Sequence, residues 1–171
     1  MRKMQIIFSH GKESGPWGTK IKRLADTAKR LGCDVESIDY SDTMDPDTRA
    51  ARLQQVLQDK DLASTVLVGS SMGGYVTLQA CKQMPVQAAF ILAPAIYMPG
   101  YEHQAPTQKI ANLTLVHGWH DDIIPVEHSI RFAREQDCTL HLVNDDHRLI
   151  DSLDAIDAWF EVELQRLITA P

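Results

Sequence analysis

Two patterns of apolar and polar positions alternate along this chain of 171 residues. Short runs of aliphatic and β-branched residues predict buried strands, whereas apolar residues at a spacing of about 3.6 predict amphipathic helices. The predicted strands are residues 4–9, 35–40, 65–69, 87–92, 113–117 and 139–143. The predicted helices are residues 20–31, a segment that begins at 46 and includes 57, then 72–84, 125–134, and a closing helix from about 152 to 168.

Residues at the predicted helix ends support these boundaries. Asp45 and Ser152 are predicted N-caps, and Pro46 and Pro125 are predicted to take the first helical position. Pro85 should end the helix before it, since proline disfavours helical backbone in the residue that precedes it. Strands and helices therefore follow one another in strict alternation.

Strands that are joined by helical crossovers must run parallel, with helices on both faces of the sheet. The chain is therefore predicted to form an α/β fold, a three-layer α/β/α sandwich around a six-stranded, mostly parallel sheet. Its length predicts a single domain that spans residues 1–171. Residues 93–111 interrupt the alternation and are predicted to form a small cap-like excursion, because the segment is long for a plain connection.

The sharpest motif lies where the third predicted strand meets its helix. Gly69-x-Ser71-x-Gly73 follows an apolar strand and opens a helix, which is the context that a serine nucleophile on a tight turn requires. Such a turn leaves no room for a Cβ atom two positions before or after the nucleophile. The motif predicts Ser71 as the nucleophile, and Ser70 is expected to face elsewhere.

A serine hydroxyl needs a base, and the base needs an orienting acid. In this kind of sheet the order along the chain is serine, acid, histidine. The acid is predicted to be Asp121, with the adjacent Asp122 as the alternative. Of the seven histidines, only His147 follows the last predicted strand, so it is the predicted base.

The remaining site residues are predicted from their neighbourhood. Oxyanion stabilisation needs backbone N–H donors, and Met72, after the nucleophile, and Lys12, in the turn after the first strand, are the candidates. A shallow acyl-binding pocket is predicted to be formed by four residues, and its small size favours short acyl chains of about two to six carbons. These four residues are Trp17, Tyr97, Met98 and Tyr101.

Composition excludes several other classes of protein. The formal charge is −6 without a basic cluster, which argues against nucleic acid and an anionic membrane surface as partners. No apolar run is long enough to span a bilayer. The three cysteines lack the spacing of a disulfide framework or a zinc site, and no metal or other cofactor is predicted. The expected partner is a small-molecule ester, the expected location is the cytoplasm, and the oligomeric state is left open, as monomer or homodimer.

These motifs resemble those of the α/β-hydrolase superfamily, and the short chain is similar to the compact bacterial esterases of the YqiA type. The resemblance covers nearly the whole chain and is carried by residues 9–11, 69–74, 117–125 and 145–148. It implies the strand order 2-1-3-4-5-6 and a cytoplasmic esterase-like activity. It also implies Ser71, Asp121 and His147 as a triad, with Met72 and Lys12 as oxyanion donors. Since the superfamily is diverse in substrate, a thioesterase or other acyl hydrolase, and a non-catalytic binding protein, remain alternatives.

Overall fold

A computed structural model describes residues 3–171, so the first two residues of the predicted domain lie outside it. The described residues form six strands: β1 (Gln5–Ser9), β2 (Asp34–Ile38), β3 (Thr65–Ser70), β4 (Ala88–Leu92), β5 (Leu113–Gly118) and β6 (Thr139–Val143). They also form five α-helices: α1 (Thr19–Arg30), α2 (Pro46–Leu57), α3 (Met72–Cys81), α4 (Val126–Gln136) and α5 (Leu153–Thr169).

The strands form one sheet in the order β2-β1-β3-β4-β5-β6, and every neighbouring pair is parallel. This confirms the predicted fold class and strand order. β3, β4 and β5 are buried along their whole length, as expected for parallel strands that are covered on both faces. Because all six strands point the same way, their carboxyl ends lie along one edge of the sheet, where ligands bind in such folds.

The two faces of the sheet carry separate apolar cores, since successive side chains of a strand point to opposite faces. Ile6 and Phe8 of β1 belong to the core that α1 and α5 cover, together with residues such as Phe160. Ile7 faces the other way, into the core beneath α2 and α3. A third cluster, around Phe132, packs α4 against β4 and β5. The helices therefore cover both faces, as the sequence predicts.

Two predicted helix ends are wrong in detail, and the predicted N-cap position of Ser152 is confirmed. α3 ends at Cys81 rather than residue 84, because the chain turns before Pro85. α4 begins at Val126, so Pro125 is the N-cap residue and not the first helical residue. Ser152 is the N-cap residue of α5, but its side chain makes no capping hydrogen bond. Its backbone N–H instead donates to Asp145 Oδ2, at 2.8 Å.

The segment of residues 93–111 contains no helix or strand. It leaves β4 with a positive φ at Ala93 and again at Tyr97, whose N–H donates to Gln104 O at 3.2 Å. Met98 and Tyr101 pack against the core beneath α2 and α3, whereas Tyr97 packs against the cluster of α4. Side chains of this segment therefore pack against two different apolar clusters, one beneath α2 and α3 and one beside α4. Within residues 3–171, no helix has the length and apolar character needed to cross a bilayer.

Candidate active site

The turn between β3 and α3 holds Ser71 in a strained backbone conformation. Its φ is 55° and its ψ is −118°, a region that residues with side chains rarely occupy. The Ser71 N–H donates to Leu92 O at 2.9 Å, which ties the turn to β4. A Cβ atom on Gly73 would collide with the backbone of Ser9 and His10, so only glycine fits there. The turn therefore presents the Ser71 side chain at the carboxyl edge of the sheet.

Ser71, His147 and Asp121 form a hydrogen-bonded chain. The Ser71 Oγ and His147 Nε2 atoms are 3.0 Å apart, and His147 Nδ1 lies 2.7 Å from Asp121 Oδ2. A carboxylate can only accept hydrogen bonds, so Nδ1 carries the proton and donates it to Asp121. His147 Nε2 is then free to accept the hydroxyl proton of Ser71. The structure thus brings together the three residues that the sequence predicts as a triad.

The turn that carries His147 is fixed by the two aspartates before it. Asp146 Oδ1 accepts the backbone N–H two residues further along the chain, at 2.9 Å, and Asp145 Oδ1 accepts the N–H of Asp146, at 2.7 Å. Leu149 is completely buried and has a φ of +58°, so its side chain anchors the turn in the core. His147 therefore has little freedom to leave Ser71.

Asp121 is buried and accepts four hydrogen bonds. Its Oδ1 accepts the backbone N–H groups of Ile123 and Ile124, at 2.9 and 2.8 Å, and its Oδ2 lies 3.0 Å from His117 Nε2 in addition to His147. Burial alone would raise the pKa of Asp121, but the two histidines and the two backbone donors outweigh it and hold this pKa well below its usual range. The carboxyl group is thus a carboxylate at neutral pH.

Asp122, the alternative acid, is exposed, and Asp121 rather than Asp122 contacts His147. The carboxylate of Asp122 is open to solvent. The turn before α4 is organised by Asp121, which binds its backbone N–H groups itself.

His117 is completely buried beside Asp121. Its Nε2 lies 3.0 Å from both Asp121 Oδ2 and Ile124 O, which are acceptors, so Nε2 carries the proton. Its Nδ1 then accepts a hydrogen bond from the Ser129 hydroxyl, at 2.7 Å. Asp121 is therefore held by a second histidine, which binds the same oxygen, Oδ2, as His147 does.

Two backbone N–H groups beside Ser71 have no acceptor within residues 3–171. They belong to Met72, the first residue of α3, and to Lys12 in the turn after β1, and both residues line the cavity at Ser71. The start of α3 adds positive potential near Met72. These are the two donors that the sequence predicts for an oxyanion.

The Lys12 turn is held by two buried polar side chains. The backbone N–H of Tyr40 donates to His10 Nε2 at 2.9 Å, so His10 Nδ1 carries the proton and donates to Gly11 O, at 2.6 Å. The fully buried Arg49 donates to Gly11 O and Lys12 O, both at 3.1 Å, and to Thr43 O at 2.8 Å. The backbone carbonyl groups of Gly11 and Lys12 are thus fixed by hydrogen bonds from buried side chains.

We expect Arg49→Met to lower the free energy of unfolding by about 3 kcal/mol, since it strips buried carbonyl oxygens of their donors. Chemical denaturation measures this loss. Arg52→Met is the matched control, because Arg52 pairs with the exposed Asp42 and such pairs contribute little. Equal losses in the two variants would contradict the role given to Arg49.

A cavity of about 630 Å³ opens at Ser71. Of the four predicted pocket residues, Met98 and Tyr101 line it, whereas Trp17 and Tyr97 do not. Trp17 lies on the surface beneath the Lys29 ammonium group. Tyr97 turns away toward α4, where its hydroxyl donates to Glu135 Oε2 at 2.8 Å. The prediction that Trp17 and Tyr97 form part of the pocket is therefore wrong.

Ser70 is buried and also borders this cavity, but Ser71 rather than Ser70 contacts His147. Apolar residues that the sequence did not single out complete the wall. They are Ile21, Ala95, Ile123, Ile124 and Ile150. Ile21 lies in α1 and the other four lie in loops that follow strands, and apolar residues in such places are too common to point to a pocket.

Within residues 3–171, one group of side chains could hold a metal ion, with ligand atoms within 4.8 Å of one another. It consists of Asp47, Glu102 and His103, of which the last two are exposed. His120, which the sequence places near His117, bonds to Asn144 Oδ1 at 2.9 Å instead. The three cysteines are free thiols, as the sequence predicts.

Residues 5–107 match the model of the Uncharacterised protein family (UPF0227). A comparison with curated proteins found no match. Among solved structures, a protein of Xanthomonas campestris pv. campestris assigned to the alpha/beta superfamily of hydrolases is 31% identical, with a TM-score of 0.84. The alignment covers 96% of this chain and 99% of that one.

Two more distant structures share the fold. Est1E from Butyrivibrio proteoclasticus is 16% identical with a TM-score of 0.83, over 99% of this chain and 90% of its own. Another protein of X. campestris, described as a serine hydrolase without a lid, is 19% identical with a TM-score of 0.73, over 98% and 84%. With the family match over more than half of its length, the chain belongs to the UPF0227 family, within the α/β-hydrolase superfamily.

Proposed function

We propose that this hydrolase is a carboxylesterase for small or short-acyl esters, which works through a Ser71-His147-Asp121 triad and an acyl-enzyme. The observation that carries the proposal is the hydrogen-bonded chain from Ser71 Oγ through His147 to Asp121, with distances of 3.0 and 2.7 Å, at the wall of an open cavity. The relative that is 31% identical is itself assigned to the hydrolases.

In the acylation step, Ser71 Oγ attacks the ester carbonyl carbon while His147 Nε2 takes the hydroxyl proton. The negative charge that develops on the carbonyl oxygen accepts hydrogen bonds from the N–H groups of Met72 and Lys12. Each such donor is worth roughly 3 kcal/mol in the transition state. His147 then returns its proton to the departing alcohol oxygen as the carbon–oxygen bond breaks.

In the deacylation step, water attacks the acyl-enzyme and His147 Nε2 takes one of its protons. The Ser71–acyl bond breaks, Ser71 regains its proton from His147, and the carboxylic acid leaves. Asp121 stabilises the imidazolium in both steps, and His117 acts as a positioning residue that keeps the carboxylate aimed at His147. We propose that the whole chain is one domain, with residues 93–111 as its cap-like segment. We place the enzyme in the cytoplasm, because its free cysteines suit a reducing compartment.

We expect kcat/KM for 4-nitrophenyl esters to be highest between about two and six acyl carbons, because the open cavity must hold the alcohol part of the ester as well as its acyl chain. A series from acetyl to dodecanoyl esters measures the optimum. Met98 lines the cavity, so the larger side chain of Met98→Trp should fill part of it and move the optimum to a shorter acyl chain. An optimum at dodecanoyl or longer esters would contradict the predicted chain length.

A further inference from the structure

The cavity at Ser71 is lined by three cationic side chains that lack an anionic partner. Within residues 3–171, no carboxylate oxygen lies within 4.0 Å of a side-chain nitrogen of Lys12, Lys20 or Arg148. Elsewhere on the surface, most arginines are paired with carboxylates. These arginines are Arg23, Arg30, Arg52, Arg131 and Arg166. Unpaired lysines also occur elsewhere on the surface, so these three cations are distinguished by lying together in one cavity of a chain with a charge of −6.

Lys20 is the most enclosed of the three. Its Nζ donates to Arg148 O at 3.0 Å, which leaves two of the three ammonium protons without an acceptor among the described residues. Burial, and then the nearby Arg148 guanidinium group, lower the pKa of Lys20. An ammonium group in this position would gain from an incoming anion, which would accept hydrogen bonds from its remaining N–H groups.

The carboxylates nearest to Lys20 are committed elsewhere. Asp121 binds His147 and two backbone N–H groups, as described above, and both oxygens of Asp145 bind backbone N–H groups. Asp146 binds the backbone N–H of Arg148. These groups attract Lys20 at a distance without forming an ion pair with it. Among residues 3–171, Glu13 is the one carboxylate in the cavity lining, and it is exposed.

The start of α1 adds to the positive charge of this wall. α1 begins at Thr19, and its N-cap residue, Gly18, has no side chain to bind the first backbone N–H groups. Gly18, Thr19 and Lys20 all line the cavity. Unpaired N–H groups at a helix start carry a partial positive charge, which reinforces the two cations beside it.

We infer that Lys20 and Arg148 form an anion-binding subsite of the catalytic cavity, and that the preferred substrate is an ester with a carboxylate or phosphate group away from the scissile bond. The inference rests on the proposed esterase function. The anion can belong to the acyl part or to the alcohol part of the ester, since both ends of a substrate reach from Ser71 into the same cavity.

Two matched pairs of substrates test the subsite. Mono-4-nitrophenyl adipate and 4-nitrophenyl hexanoate share a leaving group and a six-carbon acyl chain, and differ in a terminal carboxylate. 4-(Hexanoyloxy)benzoate and 4-(hexanoyloxy)benzamide place the same difference on the alcohol part. We expect kcat/KM to be at least tenfold higher for the anionic member of one pair, with the preference falling as salt is raised because salt screens the attraction.

Substitutions in α1 and in the turn of His147 show which residues cause the preference for the anionic ester. The double variant Lys20→Met/Arg148→Met should lower the anionic-to-neutral ratio of kcat/KM at least tenfold, and Lys20→Arg should retain the ratio. Lys22→Met, an exposed cation on the same helix outside the cavity lining, should leave the ratio unchanged. A purely structural role of Lys20 in holding the Arg148 carbonyl would lower both rates together and keep the ratio constant.

The inference fails if the wild type prefers the neutral member of both pairs, or if the double variant keeps the wild-type ratio. Labelling with a fluorophosphonate probe separates this failure from a failure of the esterase proposal. Labelled protein that shows no preference for an anion overturns the subsite and leaves the nucleophile intact. Protein that neither reacts with the probe nor hydrolyses any of the four esters overturns both.

Discussion

Ser71→Ala should lower kcat for short 4-nitrophenyl esters by about 10⁴-fold or more, since loss of a triad nucleophile leaves only the contribution of the oxyanion donors and of substrate binding. Alanine has the same Cβ atom as serine, so the strained turn at φ 55° should fold as before. Steady-state kinetics measures the loss, and the thermal unfolding midpoint checks the fold.

Ser70→Ala is the matched control for this substitution. Ser70 precedes the nucleophile and lines the same cavity, but Ser71, not Ser70, contacts His147. We expect this variant to retain activity within about tenfold, because it keeps the hydrogen-bonded triad. Comparable losses in the two alanine variants, or wild-type turnover by Ser71→Ala, would show that Ser71 is not the nucleophile.

Asp121→Asn should lower kcat by roughly 10⁴-fold, as the loss of the triad carboxylate does in serine proteases. The two Oδ1 bonds to Ile123 and Ile124 can persist in the amide. The other position becomes an NH₂ group, which cannot accept the N–H of His147 or His117. His117 can still donate to Ile124 O, whereas His147 loses its acceptor and must change tautomer or turn away. A His147 protonated on Nε2 cannot accept the Ser71 proton.

Asp122→Asn tests the alternative acid in the same assay. Asp122 is exposed, so we expect wild-type kcat from this variant. A large loss with Asp122→Asn and a small one with Asp121→Asn would reverse the assignment of the acid.

The sequence was sufficient to predict the parallel fold and the residues that meet at its carboxyl edge. Gly69-x-Ser71-x-Gly73 carries a steric requirement that few other structures share, and the collision that a Cβ on Gly73 would cause shows this requirement directly. Parallel strands also bring residues that are distant in sequence to one edge, so His147, 76 residues after Ser71, could be placed beside it. The position of these residues can therefore be predicted from the order of the strands, without knowledge of how their side chains pack.

The cavity wall was predicted only in part, because loop side chains are placed by local backbone geometry. Tyr97 and Met98 are neighbours in sequence, yet Tyr97 has a φ of +55° and packs toward α4, while Met98 lines the cavity. Composition indicates that an aromatic residue lies in this excursion, but not to which core it turns. The same limit applies to Trp17, whose position depends on packing beneath Lys29.

The buried polar residues that support the site could not be predicted from the sequence either. His117 and Arg49 are each completely buried, and a histidine in a strand or an arginine in a helix carries no sign of burial in one sequence. Their partners are backbone carbonyl groups and Asp121, which only the folded chain brings close. Their roles, in holding the Lys12 turn and the triad acid, follow from distances rather than from residue type.

The most direct test of the proposed triad is the site of covalent modification by diisopropyl fluorophosphate, mapped by mass spectrometry of proteolytic peptides. An activated serine reacts with this reagent, whereas an ordinary surface hydroxyl does not. The proposed triad predicts one phosphoryl adduct, on Ser71, which disappears in His147→Gln. An adduct on a different residue, or no adduct in a protein that hydrolyses esters, would contradict Ser71 as the nucleophile.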